Sequence, residues 1–442
     1  MKQYTFPYGR GVQTVVLPED HVAYELKGTG AAPVADVTKA VQKALRRVYP
    51  KDALSERVAP YEKVVIVVSD GTRRVYTPQM LDAVISELHD IGMADEQITL
   101  LVALGTHRLA TKRELTEICG SWAGRLRVVQ HDCRDKKQLA YVGTTAEGNV
   151  VYLNRLAAEA DKIILTGGIS FHDMAGFSGG RKAVLPGLAG YDTIMRNHAL
   201  ALNSEEIGGL NRCCDAARLE GNPMHEDMVE GASFIDPDFM INTVLGADGA
   251  VIDVVAGHWL TDWREGCREL LAADSVAIPQ KADVTIASAG GYPKDINFYQ
   301  ATKAHMNAVF ATKPGGIMIL VMECPDISEP PEFAEAFGQS DTSAAEQALR
   351  QHFTIGAFSA YKTQEIIESM RAVFVVTERK NFDIMKRSGQ IPVESLEEAW
   401  QAAKAILAEE GKEDYTIALM PYAASTLPVI KKTREEIEYD IE

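Results

Sequence analysis

Apolar residues in this chain fall into two alternating patterns. Residues 63–69, KVVIVVS, are apolar at nearly every position, as expected of a strand buried on both faces of a parallel sheet. Residues 98–104, 126–130 and 162–166 repeat the pattern, and the last run breaks into glycine at Gly167 and Gly168. Between these runs, helical periodicity predicts helices over 78–92, 112–119 and 155–160, with 150–153 as a short β piece. Further on, 193–200 reads as a helix, 238–245 and 251–255 as a hairpin turning at Asp248-Gly249, and 262–273 as a helix. Upstream, short β pieces at 13–17 and 21–25 precede a helical run over 34–48.

A second strand–helix pattern begins after 275–281, the best candidate for a domain boundary. Its strands are 284–287, 316–323, 372–377 and 415–420, and a helix carrying Gln300 and Lys303 follows the loop SAGGYPKD. Residues 326–345, acidic and punctuated by Pro330-Pro331, read as an exposed loop and helix start. The expected fold class is α/β, in two domains that are each a mainly parallel sheet flanked by helices. The expected boundaries are 1–274, 275–420 and a tail over 421–442 that packs back on the first domain.

Composition narrows the functional classes. At 442 residues, 46% hydrophobic and 24% charged, the chain has ample material for two cores. A net charge of −17 argues against nucleic acid as a partner, because such binding needs clustered Lys and Arg. It also makes isolated cations on glycine loops informative. The six cysteines show no CxxC spacing and no secreted framework. With no signal-peptide pattern and no apolar run of membrane-spanning length, the expectation is a cytoplasmic protein without a membrane partner.

The candidate chemistry lies in loops just past strand ends, where α/β sheets bind ligands. SDGTRR, GTHR and ISFHD follow three of the strands, so Asp70, Arg73, His107 and His172 are expected to converge on one crevice. Two imidazoles on opposite faces of a substrate would form a symmetrical acid/base pair, although each alone can equally be a satisfied loop histidine. Arg73 can pair with a carboxylate, and Asp70 can orient a neighbouring histidine or bind ribose. Lys182 follows Ser178-Gly179-Gly180-Arg181; this lacks the Walker spacing, yet a glycine loop with adjacent cations can cradle a phosphate. The same letters also suit a surface turn with solvated charges. His198 lies in a helix 16 residues past Lys182, without the partners of an ordinary zinc site. Gln300 and Lys303 share one helix face.

Taken together, SDGTR, ALGTHR, GISFHDMAGFSGGRKAVLPG, IMRNHA and YQATK resemble the nickel-dependent lactate racemase family, whose members racemise or epimerise 2-hydroxy acids. The resemblance runs in order from the SDGTR turn through the YQATK helix. It implies a nickel pincer nucleotide, pyridinium-3,5-bisthiocarboxylic acid mononucleotide, joined to Lys182 by a thioamide, with His198 completing the nickel coordination. His107 and His172 would be the two acid/base groups. Arg73, Gln300 and Lys303 would hold a small 2-hydroxy acid, with Asp70 and Tyr299 at accompanying positions. Ser178, Gly179 and Gly180 are the residues expected to receive the nucleotide.

The active site would then lie in the cleft between the domains, the first carrying the cofactor and most catalytic residues. Other proteins would make and load the cofactor. The family turn commonly reads SDxTRP, and Arg74 stands here at the proline position. With Tyr76, it is a candidate contact for a second carboxylate or a polyol chain. Malate-like, hydroxyglutarate-like and sugar-acid substrates therefore stand beside lactate. The competing readings are a metal hydrolase using Asp70, His107, His172 and His198, and a binding protein that kept the fold but would be expected to lose one of the histidines.

Overall fold

The structure, a computed structural model, describes residues 1–27, 31–47, 53–71, 74–246, 249–326, 330–338 and 342–430. The chain divides into two compact units, one formed by Ala31–Ala272 and one by Met1–Gly30 with Ala273–Arg434.

The unit Ala31–Ala272 is built on a six-stranded sheet. Its strands run in the order Val251–Gly257, Phe239–Leu245, Lys162–Ile169, Val64–Ser69, Ile98–Ala103, Arg127–Gln130. All neighbours are parallel except the Phe239–Leu245 and Val251–Gly257 hairpin. Val64, Ile66 and Val68 face one layer of helices, and Val65 and Val67 point the other way, so both sides of the strand are buried and a β-branched run is favoured throughout. Helix Thr77–Asp90 covers the first layer with Met80, Leu81, Val84, Ile85 and Leu88, spaced to fall on one face. Helix Lys112–Cys119 starts on a capping box in which Thr111 and Glu114 each satisfy the other's backbone N–H.

The strand expected to break at Gly167 continues through both glycines to Ile169. The glycines serve packing instead. A Cβ on Gly168 would lie 2.6 Å from Val75 Cγ1, and one on Gly167 would lie 3.3 Å from Asn242 Nδ2. The hairpin strands lie where expected, while Asp248 lies outside the described residues.

The second unit holds a six-stranded parallel sheet in the order Ile391–Val393, Ala372–Val376, Thr312–Val321, Ala282–Ser288, Ile417–Met420, Val22–Glu25. The first residues therefore belong with this unit rather than with a domain spanning 1–274. Val22–Glu25 adds to the edge strand Ile417–Met420, and the hairpin of Lys2–Tyr8 with Gly11–Leu17 buries Phe6 and Leu17 in the same core. Residues 421–430 also belong here, because Leu427–Ile430 pairs in parallel with Ser275–Ile278; the remainder of the expected tail, 431–442, lies outside the described residues. Within the stretch 326–345, the described residues are less exposed than its acidity suggests. Helix Pro331–Ala336 buries Phe333, and Phe337 follows it into an aromatic cluster with Phe298. Among the described residues, no helix is long and apolar enough to cross a membrane.

Candidate active site

Strand order decides which loops meet. In the Ala31–Ala272 unit the chain lays down Val64–Ser69, then adds Ile98–Ala103 and Arg127–Gln130 on one side, and returns to place Lys162–Ile169 on the other. The reversal between Val64–Ser69 and Lys162–Ile169 is a topological switch point, where loops diverge and leave a crevice at the carboxyl ends. Asp70, His107 and His172 all follow the carboxyl ends of three adjacent parallel strands.

Asp70 is buried, and its carboxylate meets Nδ1 of His107 in a short contact. An ionised carboxylate can only accept, so Nδ1 carries the proton and Nε2 is left as the basic nitrogen. The His107 side chain remains 49% exposed. Its loop is also tied toward the lysine loop, since the Gly105 amide donates to Gly187 O at 3.0 Å.

His172 sits on a two-residue strand paired antiparallel with Gly176–Phe177, with His172 opposite Gly176. Its Nδ1 receives the backbone amides of Met174 at 3.3 Å and Ala175 at 3.2 Å. Its Nε2 stands 3.0 Å from Lys182 Nζ. The tight turn needs Gly176, whose φ is +76° and whose added Cβ would lie 2.5 Å from Arg218 O. Lys182 itself is buried on the one-turn segment Gly180–Ala183.

His198 lies on helix Tyr191–Ala199 and is buried. Its Nδ1–H donates to Ile194 O at 2.9 Å, which fixes the tautomer and leaves the Nε2 lone pair unprotonated. Burial, reinforced by the nearby Lys182 charge, pushes its pKa down to about 3. It is therefore a neutral imidazole throughout the physiological range, the state a metal requires.

Several expected roles change with the structure. Ser178 and Gly180 are not available as a phosphate cradle. The Ser178 hydroxyl donates to Gly168 O and accepts the Ser170 amide, and the Gly180 amide donates to Asn242 Oδ1 at 2.8 Å. Gly179 presses on the same Asn242, and Gly180 on Trp263, where added Cβ atoms would clash. Arg181 is not a solvated turn cation but wholly buried. Arg74 is exposed, whereas Tyr76 packs half-buried against the core at the start of helix Thr77–Asp90. Arg73 lies outside the described residues.

Sequence reasoning missed Asn242, His225 and Trp263. Asn242 was detectable as an amide inside the apolar strand Phe239–Leu245; the other two gave no signal. In the second unit, helix Phe298–Ala311 starts on Asn297, whose Oδ1 accepts the Gln300 amide at 2.8 Å. Lys303 Nζ donates to Gln300 Oε1 at 2.9 Å, and Tyr299 packs edge-on against Phe333. The hydrolase constellation is not assembled. Asp70 and His107 engage each other, His172 faces Lys182, and no group of three or more His, Cys, Asp or Glu among the described residues could hold a metal by itself.

A pair of strand-end imidazoles, one held by a carboxylate and one facing a buried lysine, has the chemistry to move protons on a small molecule. Comparison with known proteins specifies which kind. Residues 8–208 match the lactate racemase N-terminal domain, and residues 278–427 match the lactate racemase C-terminal domain. A lactate racemase of Lactiplantibacillus plantarum is 33% identical over 72% of this chain and 74% of its own. One from Thermoanaerobacterium thermosaccharolyticum is 28% identical over 93% of this chain and 96% of its own. The solved lactate racemase apoprotein of the latter organism superposes with a TM-score of 0.87 at 27% identity, covering 97% of this chain and 100% of that one. A Thermotoga maritima protein shares the fold with a TM-score of 0.60 at 18% identity, covering 89% of this chain and 98% of its own. The chain belongs to the lactate racemase family and is an isomerase.

Proposed function

We propose that this chain inverts C2 of lactate or a related, larger 2-hydroxy acid, using a nickel pincer nucleotide attached to Lys182. The observation that carries the reading is the Lys182 environment. A buried lysine amine stands 3.0 Å from the imidazole of His172, and its charge acts on a buried, neutral His198 whose Nε2 is unprotonated. These residues fit the group. One imidazole is enough for nickel when sulfur and carbon donors come with the cofactor, and Lys182 supplies an amine for the thioamide. When bound, the nucleotide supplies a hydride acceptor and donor, so that C2 can pass through a planar 2-keto acid.

The chain's own groups do the rest. His107, with its tautomer set by Asp70, takes the hydroxyl proton at Nε2 from one face, and His172 returns a proton from the other. Running the reaction backwards exchanges their roles, which is what racemisation requires. The family resemblance assigns the substrate carboxylate to Arg73, Gln300 and Lys303 and an accompanying role to Tyr299, which would leave only the carbinol end to reorient. Cofactor-making proteins are the implied partners. A cytoplasmic location goes with this reading and agrees with six cysteines that are all free thiols.

The test is to produce the chain together with cofactor-making enzymes, then measure intact mass, nickel content and interconversion of L- and D-lactate by chiral chromatography. Expected are a nucleotide-sized adduct mapping to Lys182, about one nickel per chain, and both enantiomers from either one. An adduct-free chain that binds no nickel and inverts no 2-hydroxy acid in a panel would overturn the proposal.

A further inference from the structure

The fully buried Arg181 makes an unusual set of contacts for a residue next to the cofactor lysine. Its Nη1 donates to Phe177 O at 3.0 Å and its Nη2 to Ala175 O at 2.6 Å. Its Nε donates to His225 Nδ1 at 2.8 Å, and its guanidinium lies 3.9 Å over the Trp263 ring. His225 also stacks on Trp263 at 5.8 Å, so the cation is held on a platform formed by two helices, Pro223–Ser233 and Thr261–Asp274. Trp263 Nε1 donates to Ser178 O at 2.8 Å. Arg181 and Trp263 together thus bind three carbonyls of the strand segment that faces His172 across the small hairpin.

A two-residue strand pair cannot hold a catalytic side chain in place by its own ladder. Other anchors of His172 include the Asp173 carboxylate, 3.5 Å from Nδ1, and the amides of Met174 and Ala175, the last of which belongs to a peptide segment that Arg181 grips. We infer that Arg181 is a positioning residue, whose fork on the Ala175 and Phe177 carbonyls sets His172 Nε2 against Lys182 Nζ. A lysine would keep the charge but not the planar fork, so one of the two carbonyls would lose its donor.

The inference rests on the proposed acid/base role of His172 for its kinetic arm, but not for its structural arm. The experiment compares wild type, Arg181→Lys, Arg181→Met and His225→Gln as ¹⁵N-histidine-labelled apoproteins, reading the imidazole nitrogens, and as nickel-loaded enzymes, reading kcat and KM. In Arg181→Lys, the His172 nitrogens should move toward the averaged values of a free imidazole while those of His107 and His198 stay in place. In the loaded enzyme kcat should fall by roughly 10²-fold, as for a misplaced catalytic group, with KM within about twofold. His225→Gln should shift the same signals by less, and carries the test if the Arg181 variants do not fold. Wild-type His172 nitrogens in folded Arg181→Lys, or equal movement of all histidine signals, would overturn the inference. If wild type proves inactive on 2-hydroxy acids, the proposed function fails and the apoprotein spectra still decide the role of Arg181.

Discussion

The carboxylate of Asp70 holds His107 by Nδ1, joining the ends of two adjacent parallel strands. Burial of the carboxylate and exposure of the imidazole divide their roles. In the proposed mechanism Asp70 orients and His107 Nε2 takes the proton. Asp70→Asn keeps the shape but removes the charge, and its amide can present N–H to Nδ1 and favour the wrong tautomer. We expect kcat to fall by about 10²-fold or more in both directions, with nickel content unchanged. Initial rates from each enantiomer, alongside His107→Ala, provide the check. Wild-type rates in Asp70→Asn would show that the carboxylate merely packs.

Lys182 and His198 are assigned separate tasks, so their variants should fail differently. Lys182→Ala should lose the covalent adduct, whereas His198→Ala should keep the adduct mass but hold nickel weakly enough for chelator to strip it. Intact-mass spectra and metal analysis before and after dialysis against chelator distinguish the two. The same adduct in Lys182→Ala would place the attachment elsewhere. Chelator-resistant nickel in His198→Ala would remove that histidine from the coordination.

Much of this arrangement was legible in the sequence because β-branched runs and the loops after them are local signals. Val64–Ser69, Ile98–Ala103 and the turns bearing Asp70 and His107 could be placed from letters alone. What could not be read depended on distant partners. Val22–Glu25 is a weak strand by pattern, and its place is set by Ile417–Met420 at the other end of the chain. Gly167 and Gly168 resemble a break, but they mark a strand approached closely by Asn242 and Val75. Arg181 carries a letter that normally means solvent; Trp263 and His225, remote in sequence, provide the stacking and one of the three acceptors that allow it inside.

The buried histidines make acid stability predictable. Burial pushes His225 down to about 2, His198 to about 3 and His305 to about 4, and lowers His131 as well. Below about pH 6.5 the unfolded chain binds protons that the folded chain refuses, so stability is complete above that pH and falls as pH drops through the window. His225, His198 and His305 each contribute on the order of 1 kcal/mol per pH unit there. His305 offers a test away from the active-site loops, since its Nε2–H donates to Gln390 Oε1 at 2.8 Å and a glutamine can replace the donor. His305→Gln should flatten the dependence of unfolding free energy on pH between 6.5 and 5.5 by roughly half to one proton, measured by urea titration. An unchanged slope would mean that His305 protonates without unfolding.

Glu269 reverses the sign. Its carboxyl, on helix Thr261–Asp274, is pushed up to about 7 by burial and then by Asp253, which itself pairs with Arg47 at 3.3 Å. One carboxyl oxygen of Glu269 is buried without a hydrogen-bond partner. Between the ordinary glutamate pKa and about 7, the folded state holds a proton that the unfolded chain has released. Stability contributed by the protonated pair therefore declines as pH rises and is gone above about 7. Glu269→Gln keeps the neutral, donating form at every pH. It should stabilise the protein at pH 8 by on the order of 1 kcal/mol, less than the full shift implies because solvent screens a half-buried group, and by much less at pH 5. Thermal midpoints at the two pH values decide. A gain of equal size at both would reflect packing, and no gain at pH 8 would mean that Arg47 already neutralises the pair.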